Sequence, residues 1–171
     1  MSQRTEIYEL GQLRLHSGEG RQLRLEVPVD GFDLGGQHYE PDGPTVPVLL
    51  DVSHTTRGYA LRLRYDVRLH GPCMRCLDDA DRETHVDAYE IDQPGGGEEL
   101  TSPYVSKDEL DVRSWARDAL VLALPTQIVC RDDCKGLCAV CGENLNSAGD
   151  DHTHDEQTDA RWAKLGELRF D

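Results

Sequence analysis

The stretch 59–69 constrains this chain more than any other, because its pattern fits a β-strand and nothing else. Tyr59, Leu61, Leu63, Tyr65, Val67 and Leu69 alternate with residues that include Arg62, Arg64, Asp66 and Arg68. A strand sends successive side chains to opposite faces and gathers those six apolar groups on one side, whereas a helix would scatter them around its axis. The chain must therefore supply neighbouring strands and a layer that covers the apolar face.

Shorter alternations supply the neighbours. Leu23, Leu25 and Val27, interleaved with Arg24 and Glu26, predict a half-buried strand. Val46, Val48, Leu50 and Val52 predict another, in which Pro47 marks an edge strand or a strand start. Residues 31–44, rich in glycine and proline, read as a loop or an irregular hairpin connection. The strand at 85–91 leaves its inner face open, with Val86 and Ala88 competing against Tyr89 and Ile91.

Residues 93–101, with Pro94, Gly95, Gly96, Gly97, Glu98 and Glu99, form an acidic connection. It separates a β-rich part, 1–92, from a helical and cysteine-rich part, 102–171, of what reads as one domain spanning 1–171. Asp111 is placed to cap a helix running to about Leu124, with Pro125 near its end. Val112, Trp115, Ala116, Ala119, Leu122 and Ala123 form its expected buried stripe. A short helix from about Ala160, docking through Trp162, Leu165 and Leu168, is expected at the C-terminus. The expected class is α+β: a predominantly antiparallel β body, a packed central helix and a C-terminal cysteine-rich metal-binding segment.

Chemistry concentrates in six cysteines and two histidines. Cys138 and Cys141 are separated by two residues and followed by Gly142, which suits a tight turn aiming both sulfurs at one ion. Cys130 and Cys134 precede them, Cys73 and Cys76 lie far upstream, and His152 and His154 follow. Eight donors suffice for two tetrahedral sites. One grouping joins Cys138, Cys141, His152 and His154, and the other brings Cys73 and Cys76 against Cys130 and Cys134. A single site is equally allowed, such as Cys130 or Cys134 with Cys138, Cys141 and one histidine. Structural zinc, one ion or two, is the expected cofactor. The bland alternative is that some cysteines are buried apolar residues and that both histidines are exposed loop residues.

The first residues show no secretory signal, and no stretch approaches the ~18 apolar residues of a membrane helix, so the cytoplasm is the expected compartment and metal outranks disulfides. Lys and Arg number 18 against 33 Asp and Glu, a formal charge of −15. That field opposes broad adsorption to DNA or a membrane and favours a basic protein partner. One local exception is 60–82, where five arginines face four aspartates. Arg62, Arg64 and Arg68 share the exposed face of the best strand, and Arg75 sits beside the first cysteine pair. They are the candidates for a local RNA contact, against the plainer reading of arginines paired to nearby acids.

No nucleophile context or phosphate-cradling motif stands out, and four protein ligands around zinc leave no open position for a catalytic water, so no catalytic residue is assigned and an enzyme is not expected. The spacing of Cys134, Cys138 and Cys141 also matches a catalytic iron–sulfur triad, but no room follows it for a large barrel.

Three segments carry a family resemblance. Gly71-Pro72-Cys73-Met74-Arg75-Cys76-Leu77 resembles the central motif of the bacterial large ribosomal RNA subunit accumulation protein family, known as YceD. Leu122-Ala123-Leu124-Pro125 followed by Cys130 and Cys134 fits its later segment, and residues 135–146, Lys-Gly-Leu-Cys-Ala-Val-Cys-Gly-Glu-Asn-Leu-Asn, resemble its most distinctive stretch. Where such members commonly carry a further cysteine pair, this chain has His152 and His154. The resemblance implies a non-catalytic accessory role in accumulation or maturation of large-subunit ribosomal RNA, in bacteria or plastids. The partner would be a large-subunit precursor or a basic ribosomal protein, with a local rRNA contact. The rivals are a general zinc-stabilised interaction module and, third, a thiol redox enzyme using Cys73 and Cys76.

Overall fold

The computed structural model describes residues 6–149 and 151–154. The expected terminal helix, with Trp162, Leu165 and Leu168, lies outside the described residues.

Among the described residues, nine strands and one α-helix, besides two short 3-10 turns, make up the regular structure: β1 (Ile7–Glu9), β2 (Gly20–Pro28), β3 (Phe32–Leu34), β4 (Gln37–Pro41), β5 (Thr45–His54), β6 (Tyr59–Pro72), β7 (Asp79–Asp92), β8 (Val105–Ser106), β9 (Glu109–Asp111) and α1 (Val112–Ala123). Pairing is antiparallel throughout. β6 is the spine of the larger sheet. One of its edges pairs along its full length with β7. The other is shared by β5, opposite Tyr59–Arg64, and β4, opposite Leu69 and His70. β2 lies outside β5, and β3 outside β4. β1, β9 and β8 form a second, small sheet that leads directly into the helix.

The alternation in β6 acts as expected: all six of its odd-numbered apolar residues from Tyr59 to Leu69 are buried. Across it, Val48, Leu50 and Val52 of β5 and Val86 of β7 face the same core. α1 closes that core. Trp115, Ala116 and Leu120 are buried against the sheet, and the Tyr65 hydroxyl donates a 2.7 Å hydrogen bond to the Ala116 carbonyl. Burial holds the Tyr65 hydroxyl well above the usual phenol range, so it remains a donor. Replacing a large aromatic as deeply buried as Trp115 with alanine costs roughly 3–5 kcal/mol.

Several elements differ from the sequence expectation. Residues 31–44 contain a real hairpin, β3–β4, turning at Gly35 and Gly36. β5 is internal, so of the two readings of Pro47 the edge strand fails and the strand start holds, Pro47 being the third residue of β5. Pro47 is tolerated because it lies in the part of β5 that pairs with β2 alone, before β6 joins at Leu49. β7 begins six residues before the expected 85, and its inner face goes to Val86 and Ala88, with Tyr89 and Ile91 outside. In α1, Leu120 takes the buried place assigned to Leu122, which is 87% exposed, and Ala123 is exposed too. At 100° per residue Leu120 and Leu122 flank the stripe from opposite sides, and the sheet covers only one of them.

Candidate metal centres

The first cysteine pair occupies the connection between β6 and β7. Cys73 follows Pro72 directly, and its N–H bonds the Asp78 carbonyl at 2.7 Å while the Leu77 N–H returns to the Cys73 carbonyl at 3.0 Å. The turn closes with Leu77 at φ +65°, so both sulfurs sit on one side of it. Gly71 of the same motif is needed for closeness: a Cβ there would lie 2.4 Å from the Tyr39 ring, whose hydroxyl bonds the Pro72 carbonyl at 2.8 Å.

The segment after α1 is laced onto this turn. The Met74 N–H bonds the Ile128 carbonyl, and the Leu137 N–H bonds the Arg75 carbonyl. The Arg75 guanidinium donates to Gln127 Oε1 and to the Cys134 carbonyl at 3.1 and 3.2 Å. Cys130 and Cys134 thereby arrive opposite Cys73 and Cys76. The four sulfurs lie within 4.8 Å of one another, with Cys73–Cys134 at 3.8 Å and Cys76–Cys130 at 3.6 Å. A disulfide requires about 2.05 Å, and all six cysteines are free.

The second pair sits on a tight turn of its own. The Gly142 N–H bonds the Cys138 carbonyl and the Cys138 N–H bonds the Glu143 carbonyl, both at 2.8 Å. Gly142 has φ +77°, the left-handed conformation expected of the glycine after the pair. His152 and His154 fold back over it, and the four donor atoms again lie within 4.8 Å. Cys141 Sγ is 3.7 Å from His152 Nε2, which is 3.1 Å from His154 Nε2. His152 Nδ1 contacts Glu143 Oε2 at 2.9 Å. A carboxylate on Nδ1 holds the proton there and leaves the Nε2 lone pair facing the cluster. The first cluster is mostly buried, whereas Cys141 and His154 are exposed.

The protonation pattern suits a cation. Burial pushes the Cys73 thiol up, but N–H groups of Cys76 and Arg75 outweigh it and bring Cys73 down to about 6. Burial, reinforced by the neighbouring sulfurs, drives Cys76 far above the ordinary thiol range. A hydrogen bond from Asn146 lowers Cys134. The His152 ring and the N–H groups of Cys141 and Val140 lower Cys138 to about 6, while the Cys138 sulfur raises His152 in return. Each site thus favours some thiolate yet resists crowding several together, which a bound cation relieves. Each cluster can hold a metal ion through four protein donors, a closed set with no position left for a reacting water.

A model of the large ribosomal RNA subunit accumulation protein YceD family matches residues 61–169, more than half of the chain and every donor of both clusters. The chain belongs to the YceD family. Among relatives, uncharacterized proteins of Mycobacterium tuberculosis and Mycobacterium bovis are each 38% identical over 104 residues, covering 57% of this chain and 49% of theirs. The chloroplastic large ribosomal RNA subunit accumulation protein YCED homolog 1 of Zea mays is 30% identical over 177 residues, covering 82% of this chain and 59% of its own length. Its Arabidopsis thaliana namesake is 36% identical over 61 residues, 36% of this chain and 19% of its own. The chain spans about half the length of the mycobacterial relatives it matches. No solved structure matches it.

Within this YceD chain the arginines have specific neighbours. Arg62 grips Asp87 through two bonds of 2.8 and 2.6 Å and lies 4.8 Å over the Tyr89 ring. Arg64 bonds Asp51 at 2.5 Å. Arg68 is exposed opposite Glu83 in the register, and Arg75 braces the cysteine loops. A phosphate at Arg62 or Arg64 would have to displace a carboxylate. Sequence reasoning named the donors but not their supports: Asn144, Asn146 and Asp78. The Asn146 amide bonds the Cys134 sulfur and, through its oxygen, the Lys135 N–H. Both asparagines stand in the distinctive 135–146 stretch, the one available signal. Among the described residues no helix is long and apolar enough to cross a membrane.

Proposed function

We propose that this chain is a non-catalytic, cytoplasmic accessory factor for accumulation or maturation of large-subunit ribosomal RNA, with a C-terminal half stabilised by structural zinc. Membership of the YceD family carries the ribosomal part. The convergence of eight donors into two groups of four carries the metal part.

Zinc fits the donor chemistry. A tetrahedron of thiolates around zinc at ~2.3 Å has edges of roughly 3.8 Å, and the first cluster has separations of 3.8 and 3.6 Å. Cys73, Cys76, Cys130 and Cys134 would hold one ion; Cys138, Cys141, His152 and His154 would hold another. Bound zinc supplies cross-linking, since two loops with little apolar content become fixed on the sheet end. The acidic exterior favours a basic ribosomal protein within a large-subunit precursor over an extended RNA surface. A local rRNA contact would fall to Arg68 and to the arginines that can exchange their carboxylates.

The test is to purify the protein from a complemented depletion strain and measure the metal-to-protein ratio and the co-purifying RNA in one sample. Zinc together with large-subunit precursor RNA supports both parts. Zinc without ribosomal material favours a general zinc-stabilised interaction module, and absence of both overturns the proposal.

A further inference from the structure

The two groups of donors are held in different ways. In the first, Cys73, Cys76 and Cys134 are at most 4% exposed. Its loops are also tied together without the sulfurs, through Met74 to Ile128, Leu137 to Arg75 and Arg75 to Gln127. In the second, Cys141 and His154 are exposed. Asn146 makes the last tie from its loop to the body, on the Lys135 N–H and the Cys134 sulfur. Beyond it, Ser147 and Ala148 bond back to the Asn144 carbonyl, and His152 bonds to that of Gly149. Among the described residues, no hydrogen bond or ion pair of 147–154 then leaves that loop except at the donors, where His152 faces Cys138, Cys141 and Glu143. An ion there would be the clamp on this segment.

The two sulfurs of the second group share one turn, closed by the Gly142 N–H on the Cys138 carbonyl, and they lie within 4.8 Å. Cβ atoms at i and i+3 of a helical turn stand roughly 5–6 Å apart and a disulfide needs about 3.5–4.5 Å, so the backbone has little to give. The nearest sulfurs of the first group instead belong to different loops, Cys73 with Cys134 and Cys76 with Cys130. A disulfide formed there would keep those loops together.

We propose that the second cluster is a peroxide-responsive latch: a hydroperoxide joins Cys138 to Cys141 and frees the segment 147–154, while the first cluster stays intact. The inference rests on the zinc reading of this site and adds its regulation. The exposed Cys141 thiolate attacks the peroxide O–O bond; its sulfur takes one oxygen as a sulfenic acid and the other leaves as hydroxide. The Cys138 thiolate then attacks that sulfur, the S–S bond forms and a second hydroxide departs. The two sulfurs have together given up two electrons, which reduce the peroxide, and solvent protons turn the hydroxides into water. His152 and His154 remain, too few donors for a four-coordinate zinc site, and the ion leaves. The chain so loses one surface under oxidant without unfolding, and regains it on reduction in the presence of zinc.

The test titrates hydrogen peroxide into the full chain purified with its zinc, with a chromogenic chelator reporting freed metal and peptide mapping reporting the thiols. One ion per chain is expected to leave at a dose at least roughly tenfold below the dose that frees the other, because attack follows thiolate exposure. The fragment that spans Cys138 and Cys141 should then carry an internal disulfide. Amides of 147–154 should lose dispersion while those of 73–78 and β6 keep theirs, and reductant with zinc should restore the first state. Cys141→Ser, left with the buried site, should release nothing in the low-dose range. Cys76→Ser, left with the exposed site, should release its ion at the dose seen for wild type. Both ions leaving wild type together, release without the Cys138–Cys141 disulfide, or dispersion of 147–154 that survives oxidation would overturn the latch and leave the zinc reading standing. Low-dose release from Cys141→Ser would do the same. Absence of zinc from the purified chain would overturn both.

Discussion

The Asn144 side chain donates a 2.8 Å hydrogen bond to the Asp78 carboxylate, joining the turn of the second cluster to the loop that carries the first. Asp78 also lies 3.4 Å from the Cys76 sulfur, and Asn144 accepts through its own oxygen from the Asn146 amide, which reaches Cys134. The two four-donor groups are therefore mechanically connected. Asn144→Ala should lower stability by about 1 kcal/mol, the usual net value of such a bond. A double-mutant cycle with Asp78→Ala, read by denaturant unfolding, should show that the two losses do not add. Additive losses would mean that the bond couples nothing.

Metal removal should act on loops and spare the sheet. With a chelator, amides of 73–78 and 127–154 should lose dispersion, while β2, β5 and β6 keep theirs through the alternating core. Cys141→Ser should leave one ion per chain and Cys76→Ser should release the other, as measured by elemental analysis. The more exposed second cluster should give up its ion first. Unchanged amides across 127–154 in metal-free protein would end the structural role of the ion.

The parts of this fold that were legible in the sequence are those where one residue class repeats at the period of its element. β6 shows its period across eleven residues, and the cysteine pairs show their two-residue spacing. The start of β7, Asp-Ala-Asp-Arg-Glu-Thr, has almost no apolar signal and becomes a strand because β6 offers it a partner. The inner face of 85–91 was ambiguous because α1, distant in sequence, decides it by covering Val86. Asn144 was silent for a related reason. A polar side chain has no periodic signature, and its partner Asp78 is 66 residues away.

The helix start offers a local test. Asp111 accepts from the Ser114 N–H at 2.9 Å and from its hydroxyl at 2.7 Å, a side-chain cap on the first turn of α1. Asp111→Ala should cost about 1 kcal/mol, and Asp111→Asn, which still offers an oxygen, should recover most of it. Thermal unfolding of the three proteins checks this; an equal loss in both variants would point to charge and not to the cap.

The Arg62–Asp87 pair predicts a pH signature. The Arg62 guanidinium, bonded to Asp87, holds that carboxyl below the usual carboxylate range in the folded protein. A carboxyl depressed by folding contributes stability that is fully present above its unfolded value, near ~3.9, and is lost as pH falls through the folded value. The melting-temperature difference between wild type and Asp87→Asn should therefore be constant from neutral pH to about pH 5. It should shrink below about pH 4, because every other carboxylate titrates alike in the two proteins. Half-exposed partners keep the difference small, and high salt should reduce it further. A difference that instead grew on acidification would show that Asp87 is held by something other than Arg62.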